Sequence, residues 1–256
     1  MLAVVGAGRM GGAMLRGWRE AGRAAGELLV IDPSPGEDAR AVISDGASTD
    51  PAQLPEAGTV LLSVKPQAFP AIAPTLALAP DATVVSIMAG TSVKTLQTAF
   101  PGRDVLRAMP NTPASIGMGV TGLYGAQGVD AEIVLRVQTL LRVCGPVVVV
   151  ETESDIDRVT AVSGSGPAYV FHMVEALQAA GEALGLGMDD AKVLARETIR
   201  GAAALLETGE ADDLRRAVTS PNGTTQAALD VLMSELPALM ARTTRAAFER
   251  AVELGS

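Results

Sequence analysis

The chain begins with an apolar run, Leu2-Ala-Val-Val5, followed at once by Gly6-Ala-Gly8-Arg-Met-Gly11. The run reads as a buried strand, and the helix expected over Arg9 to Glu20 starts inside the glycine spacing. Each glycine has a physical task in that setting. Gly6 permits the tight turn, Gly8 lets a backbone approach a pyrophosphate, and Gly11 lets the new helix lie close on its strand. The free N–H groups and positive dipole end of that helix would face the anion. Asp32 closes the next apolar run, Leu28-Leu-Val-Ile31, about twenty residues past the third glycine, where an acid meets a ribose hydroxyl. With 27 glycines in the chain, the spacing alone would mean little. Strand, helix and acid in the right order make it a dinucleotide site.

In an open parallel sheet, ligands bind beyond the carboxyl ends of the strands, so the residues after each apolar run carry the next expectations. These are Asp32-Pro-Ser34-Pro35, Lys65-Pro66, Ala89-Gly90-Thr91 and Pro110-Asn111-Thr112-Pro113. Pro and Gly also simply end strands, but their repetition at one edge favours a cleft. Lys65 either faces an anion or is a solvated lysine, and Asn111, pinned between prolines, suits a rigid contact to a nicotinamide. Far along the chain, Thr219-Ser-Pro-Asn-Gly-Thr-Thr225 is a polar turn opening a helix. Its exposed amides and several hydroxyls form an anion site of the carboxylate-holding kind. Ser163-Gly-Ser-Gly-Pro167 allows close backbone approach, by another helix or by a ligand. His172 falls on an apolar helix face and reads as a core or helix–helix residue, Cys144 as packing, and Asp189 and Asp190 as acids of a helix first turn.

The elements that position these groups follow from hydrophobic pattern. Strands are expected at Leu2–Val5, Leu28–Ile31, Thr59–Val64, Thr83–Ile87, Val105–Met109 and Val147–Val150, with Met118–Tyr124 a further edge strand. Their continuous hydrophobicity suits burial on both faces. Gln67–Ala79, Val93–Phe100 and Ala131–Cys144 have helical spacing. The expected fold class is therefore an α/β, doubly wound (Rossmann-type) parallel sheet over residues 1–153, followed by an all-α domain over 154–256. Its helices are expected at Asp157–Leu184, Asp189–Leu206, Leu214–Val218, Thr224–Ser234 and Leu236–Leu254.

Composition excludes several classes. A net charge of −9 disfavours nucleic-acid and anionic-membrane partners. One cysteine and one histidine rule out a disulfide framework and a Cys- or His-based metal centre, so no metal is expected. No apolar run reaches the ~18 residues of a membrane span, and the start lacks a basic leader, so a cytoplasmic location is expected. Hydrophobic content of 48% with only 3% aromatics implies helices packed through small side chains. The apolar faces of the C-terminal helices exceed what a small bundle needs, which implies subunit contact.

Together, Val4–Met14, Ser63-Val-Lys-Pro66, Met109-Pro-Asn-Thr-Pro113, Ser163-Gly-Ser-Gly-Pro-Ala-Tyr169 and Val218–Thr225 resemble the pyrroline-5-carboxylate reductase family, in the same order and at similar spacing. The resemblance implies reduction of a cyclic imine, 1-pyrroline-5-carboxylate, to L-proline with NADPH or NADH, by a homodimer that can assemble into a decamer. It assigns Gly6, Ala7, Gly8, Arg9, Met10 and Gly11 to the pyrophosphate and Ser34 to the adenosine ribose or its phosphate. Val64, Lys65, Pro66, Ala89 and Gly90 fall along the cofactor, and Asn111 in the nicotinamide region. Ser220, Gly223, Thr224 and Thr225 would hold the substrate carboxylate, with the Thr225 hydroxyl near the ring nitrogen as the catalytic group. Three departures stand out. Glu210–Leu214 lacks the His-Pro pair common in the family, Asn222 replaces a second glycine, and Asp32 favours the 2′-OH of NADH over the 2′-phosphate of NADPH while Ser34 pulls the other way. The rival enzyme reading, a 3-hydroxyacid or 6-phosphogluconate-type dehydrogenase, needs a catalytic lysine in the helical half, where Lys192 stands without a glycine-flanked motif. A non-catalytic dinucleotide-binding protein would not need the Thr219–Thr225 turn.

Overall fold

The computed structural model describes residues 1–255. A seven-stranded sheet has the order β2-β1-β3-β4-β5-β6-β7, with β1 at Leu2–Val5, β2 at Leu28–Ile31, β3 at Thr59–Leu62, β4 at Thr83–Ser86, β5 at Val105–Pro110, β6 at Thr121–Gly125 and β7 at Val147–Val149. The first five strands are parallel. Successive residues of β1 divide between two cores: Leu2 and Val4 lie with Trp18, Leu141 and Cys144 on one face, Ala3 and Val5 with Phe69, Leu96 and Phe100 on the other. That double burial is why the strands show no polar alternation.

Two features depart from the expected sheet. The stretch expected as an edge strand is β6, and it sits inside the sheet, antiparallel to β5 and parallel to β7. The short link from Pro110 to Thr121 leaves no room for a crossover helix, so the chain must turn back antiparallel; the link from β6 to β7 holds a helix and restores a parallel pair. The helices of this region are α1 (Arg9–Glu20), α2 (Glu37–Ser44), α3 (Phe69–Ile72), α4 (Val93–Ala99) and α5 (Ala131–Leu141). The helix expected over Gln67–Ala79 is reduced to α3 between two 3-10 turns, because Pro70 and Pro74 each remove a donor and crowd the preceding turn.

By internal contacts the chain forms two compact units, one comprising Met1–Ser165 with the stretch from Ala247 onward, the other Gly166–Ala246. The helix expected over Asp157–Leu184 is built as α6 (Glu153–Val159), a wide π turn (Thr160–Gly164) and α7 (Gly166–Ala183). Ser165 N–H donates to Thr160 O at 2.9 Å across that turn, and Pro167, with no N–H to give and a ring needing space, follows directly. Then come α8 (Met188–Leu205), α9 (Ala211–Ala217) and α10 (Thr224–Gly255). The two helices expected at the end are one, running unbroken through Pro237. No described helix is long and apolar enough to cross a membrane.

Cys144 is a free, buried thiol in the core under α1. Burial raises its pKa to about 11, with Arg16 pulling it modestly down. The folded thiol thus holds its proton above the usual value of 9.0, and stability is lost as pH rises from there towards 11. At pH 8 the thiolate fraction should be about 100-fold below that of an exposed cysteine, as two pKa units require. A thiol reagent followed spectroscopically should react with native protein slower by that order and at the ordinary rate after unfolding.

Candidate active site

Aligned parallel registers, Val5 beside Ile31 and Leu62, and Leu62 beside Ser86, bring the loops after β1, β2, β3 and β4 to one edge of the sheet. The chain steps from β1 to β2 on one side and then to β3 on the other. β1 is thus the switch point at which open sheets take ligands. The expected residues Gly6 to Gly11, Asp32, Ser34, Val64, Lys65, Pro66, Ala89, Gly90 and Asn111 all belong to the loops and helix starts at this edge.

The three glycines divide their work. Gly6 has φ +88°, and a Cβ there would lie 2.7 Å from the Ser63 and Val64 backbone. At Gly11 a Cβ would be 2.3 Å from Gly6 O. Those two are required by the fold itself. Gly8 is different: it is exposed, and a Cβ there would meet nothing within 4 Å. It is the N-cap of α1, whose first turn carries neither a capping side chain nor an acid. The first-turn amides, Arg9 to Gly11, have no partner within the helix, and Arg9 is exposed beside them. An uncapped N-terminus with open space over a glycine fits a pyrophosphate.

Asp32 is bound into this loop. Its Oδ2 accepts from Ala7 N–H at 2.5 Å and its Oδ1 from Ser34 N–H at 2.7 Å. Gly36 N–H donates to Ala7 O at 2.8 Å, closing the loop from above. A carboxylate offers about four acceptor positions, so two engaged amides leave capacity for a ribose hydroxyl. Ser34 and Lys65 are exposed, and Pro66 and Val64 half-buried. Asn111 Oδ1 accepts from Val120 N–H at 3.0 Å, which ties the β5–β6 link. A cavity of about 980 Å³ opens instead by the starts of β1 and β3, around Trp18, Leu135 and Arg136, and contains none of these residues.

In the helical unit, Thr219 to Thr225 forms the expected turn ahead of α10. Gly223 N–H donates to Ser220 O at 3.0 Å, Pro221 follows Ser220, and Asn222 has φ +61°. That is the type II arrangement, with proline second and a left-handed residue third, where Asn can stand in for Gly. A Cβ at Gly223 would fall 2.4 Å from Ser220 Oγ, so a side chain there would have to turn that hydroxyl aside. The Thr219 hydroxyl donates to Arg215 O at 2.6 Å and serves α9. This leaves Ser220, Thr224 and Thr225 as the hydroxyls of the turn. His172, expected in a core or at a helix–helix contact, is not in a core: it is exposed on α7 with Nδ1 2.9 Å from Glu175 Oε2.

Sequence reading missed Arg107 and Glu153. Arg107 lies on β5 with its side chain 5% exposed and donates to Glu153 Oε1 at 2.8 Å. A lone arginine within Val105-Leu-Arg-Ala-Met109 was the available signal, since a buried charge requires a partner. Asp157, one turn along α6, has its carboxyl pKa pushed up by burial, against the pull of Arg107.

Sheet order, switch point and uncapped glycine turn define a dinucleotide-binding protein of the Rossmann class. Residues 1–90 match the family model described as NADP oxidoreductase, coenzyme F420-dependent. Residues 153–254 match that for pyrroline-5-carboxylate reductase dimerisation. The pyrroline-5-carboxylate reductase of Pseudomonas aeruginosa is 40% identical over 265 residues, covering 99% of this chain and 96% of that protein. A solved pyrroline-5-carboxylate reductase from Coxiella burnetii superposes with a TM-score of 0.90 at 33% identity, over 100% of this chain and 98% of the other. Plasmodium falciparum pyrroline carboxylate reductase, solved with NADP bound, gives 0.80 at 25% over the same shares. The chain belongs to the pyrroline-5-carboxylate reductase family.

The division of labour among the glycines is testable. Gly6→Ala combines a left-handed φ with a backbone clash and should cost about 2 kcal/mol or more of stability. Gly8→Ala should melt within a few degrees of wild type, since about 1 kcal/mol shifts a melting point by that much, yet weaken NADPH binding in a fluorescence titration.

Proposed function

We propose that the protein reduces 1-pyrroline-5-carboxylate to L-proline with NADPH or NADH. The observation that carries this reading is the pairing, in one chain, of an uncapped glycine turn at the sheet's switch point with the Ser220–Thr225 turn that opens α10. The glycine turn takes the pyrophosphate on Gly6, Ala7, Gly8, Arg9, Met10 and Gly11. Asp32 and Ser34 meet the adenosine ribose, Val64, Lys65, Pro66, Ala89 and Gly90 run beside the cofactor, and Asn111 lies in the nicotinamide region. When bound, the reduced nicotinamide supplies the hydride.

The rest of the work is orientation. A protonated C=N is already electrophilic, so hydride can add to its carbon without a strong base. Ser220, Gly223, Thr224 and Thr225 anchor the substrate carboxylate at the amides of the α10 first turn, where the helix dipole favours an anion. Thr225 Oγ1 serves the ring nitrogen and its proton. Two copies pair through the helical unit, and such dimers can build a decamer. The family model over 153–254 supports the pairing, as do the exposed apolar residues Phe171, Leu177, Val193, Leu194 and Leu232. The setting is cytoplasmic, and nucleic acid is not a partner.

Steady-state oxidation of NADPH and of NADH with pyrroline-5-carboxylate tests the function, and no turnover with either would end it. Thr225→Ala should lower kcat/KM by about 100-fold or more, the order expected when a positioned proton-handling group is removed. Asp32→Ser should weaken both cofactors by loosening Ala7, but NADH more. An unchanged NADPH-to-NADH ratio of kcat/KM removes Asp32 from the ribose.

A further inference from the structure

The loop after β4, Ala89-Gly90-Thr91-Ser92, is held from two directions by groups with no part in the reading above. From one side comes Glu153, the first residue of α6. Its Oε1 accepts from Val93 N–H, the first amide of α4, at 2.7 Å and from Arg107 Nη1 at 2.8 Å. Arg107 is buried on β5, so its charge depends on this carboxylate. Ser92 Oγ accepts from Thr95 N–H at 3.2 Å, so loop and helix start move as one piece. From the other side comes the last turn of α10. Gly90 has φ +65°, and a Cβ there would lie 2.8 Å from Leu254 O and 3.2 Å from Leu254 Cβ. The loop's entry is fixed as well: Ile87 N–H donates to Leu62 O at 3.0 Å and Met88 N–H to Ser86 Oγ at 3.2 Å.

We propose that Glu153 is a positioning residue for the cofactor, which sets the Ala89–Gly90 backbone against the backstop of Leu254 without touching the cofactor itself. The inference rests on the reading that Ala89 and Gly90 border the nicotinamide cofactor. The carboxylate does two things at once. It fills the N-terminal donor of α4, to which the loop is joined, and it fixes that donor to β5 through Arg107. Moving or removing this acceptor oxygen frees the loop's exit while β4 holds its entry. Cofactor affinity should therefore fall before the hydride step does.

The test separates cofactor from substrate. NADPH binding is measured by nicotinamide fluorescence without substrate, then turnover with pyrroline-5-carboxylate, in Glu153→Ala, Glu153→Gln and the Arg107→Met/Glu153→Gln double variant. Loss of a charge-assisted acceptor predicts about tenfold weaker NADPH binding and KM in Glu153→Ala, with kcat at saturating cofactor within about threefold. Glutamine keeps an oxygen for Val93 N–H, and the double variant also removes the stranded charge. Both should recover binding to within about threefold of wild type. A lower melting temperature in Glu153→Ala with NADPH binding unchanged would overturn the proposal, as would glutamine variants as weak as alanine. Absence of turnover in the wild type, with the binding series as predicted, would sink the reductase reading and leave the positioning role standing.

Discussion

The absence of a side chain at Gly6 is the constraint on which the cofactor edge depends. With 2.7 Å between a would-be Cβ and the Ser63–Val64 backbone, the turn after β1 lies directly on the turn after β3. Gly11 then brings α1 onto Gly6 O. Two strands and a helix start thereby meet with no atoms to spare, and the first amides of α1 are aimed over the edge. Loosening this contact would leave each element intact and the anion site unformed. A densely packed interior transmits such a displacement because no void absorbs it.

Around that contact, carboxylates are spent on backbone donors. Asp32 holds Ala7 and Ser34, Glu153 holds Val93, and Asp155 closes α6 by accepting from Thr152 N–H and its hydroxyl. The Thr152 contacts hold the Asp155 carboxyl below its usual pKa. Charge-assisted acceptors of this kind are stronger than neutral ones and define where a loop sits. An acid chain of net charge −9 can still bind an anionic cofactor, because at this edge its carboxylates face backbone amides and the helix N-terminus faces outward.

Much of this was legible in the sequence, and the exceptions share a cause. β1, β2 and α1 follow from local pattern and end where the residues say they should. β6 could be read as a strand, but not as an interior antiparallel one, because pairing direction comes from the length of the link and not from Thr121–Gly125 itself. The division of Gln67–Ala79 by Pro70 and Pro74 was written in the residues and outweighs their helical spacing. The break expected between Ser234 and Leu236 does not occur, and α10 runs through it and through Pro237. Asn222 was legible because a single dihedral decides it. The Arg107–Glu153 pair was not, since its partners lie 46 positions apart and only the fold joins them.

The helical unit poses the opposite problem. No residue of α7 is buried, and α8 buries only Ala191 and Ala195. Phe171 is 63% exposed and Leu184 88%. Burial of one such side chain contributes roughly 1.5–3 kcal/mol, and a surface that forgoes this for residue after residue is an interface rather than a solvent face. Arg216 with Asp212 and Asp213, and Arg200 with Glu197, are exposed pairs within single helices, each contributing little. Ion pairs therefore do not stabilise this unit in place of a core. The match of residues 153–254 to a dimerisation family model points to other copies of the chain as the cover, since their helices carry the same unmet apolar faces. Where such a face meets its own counterpart on another copy, one sequence supplies both halves of the missing core.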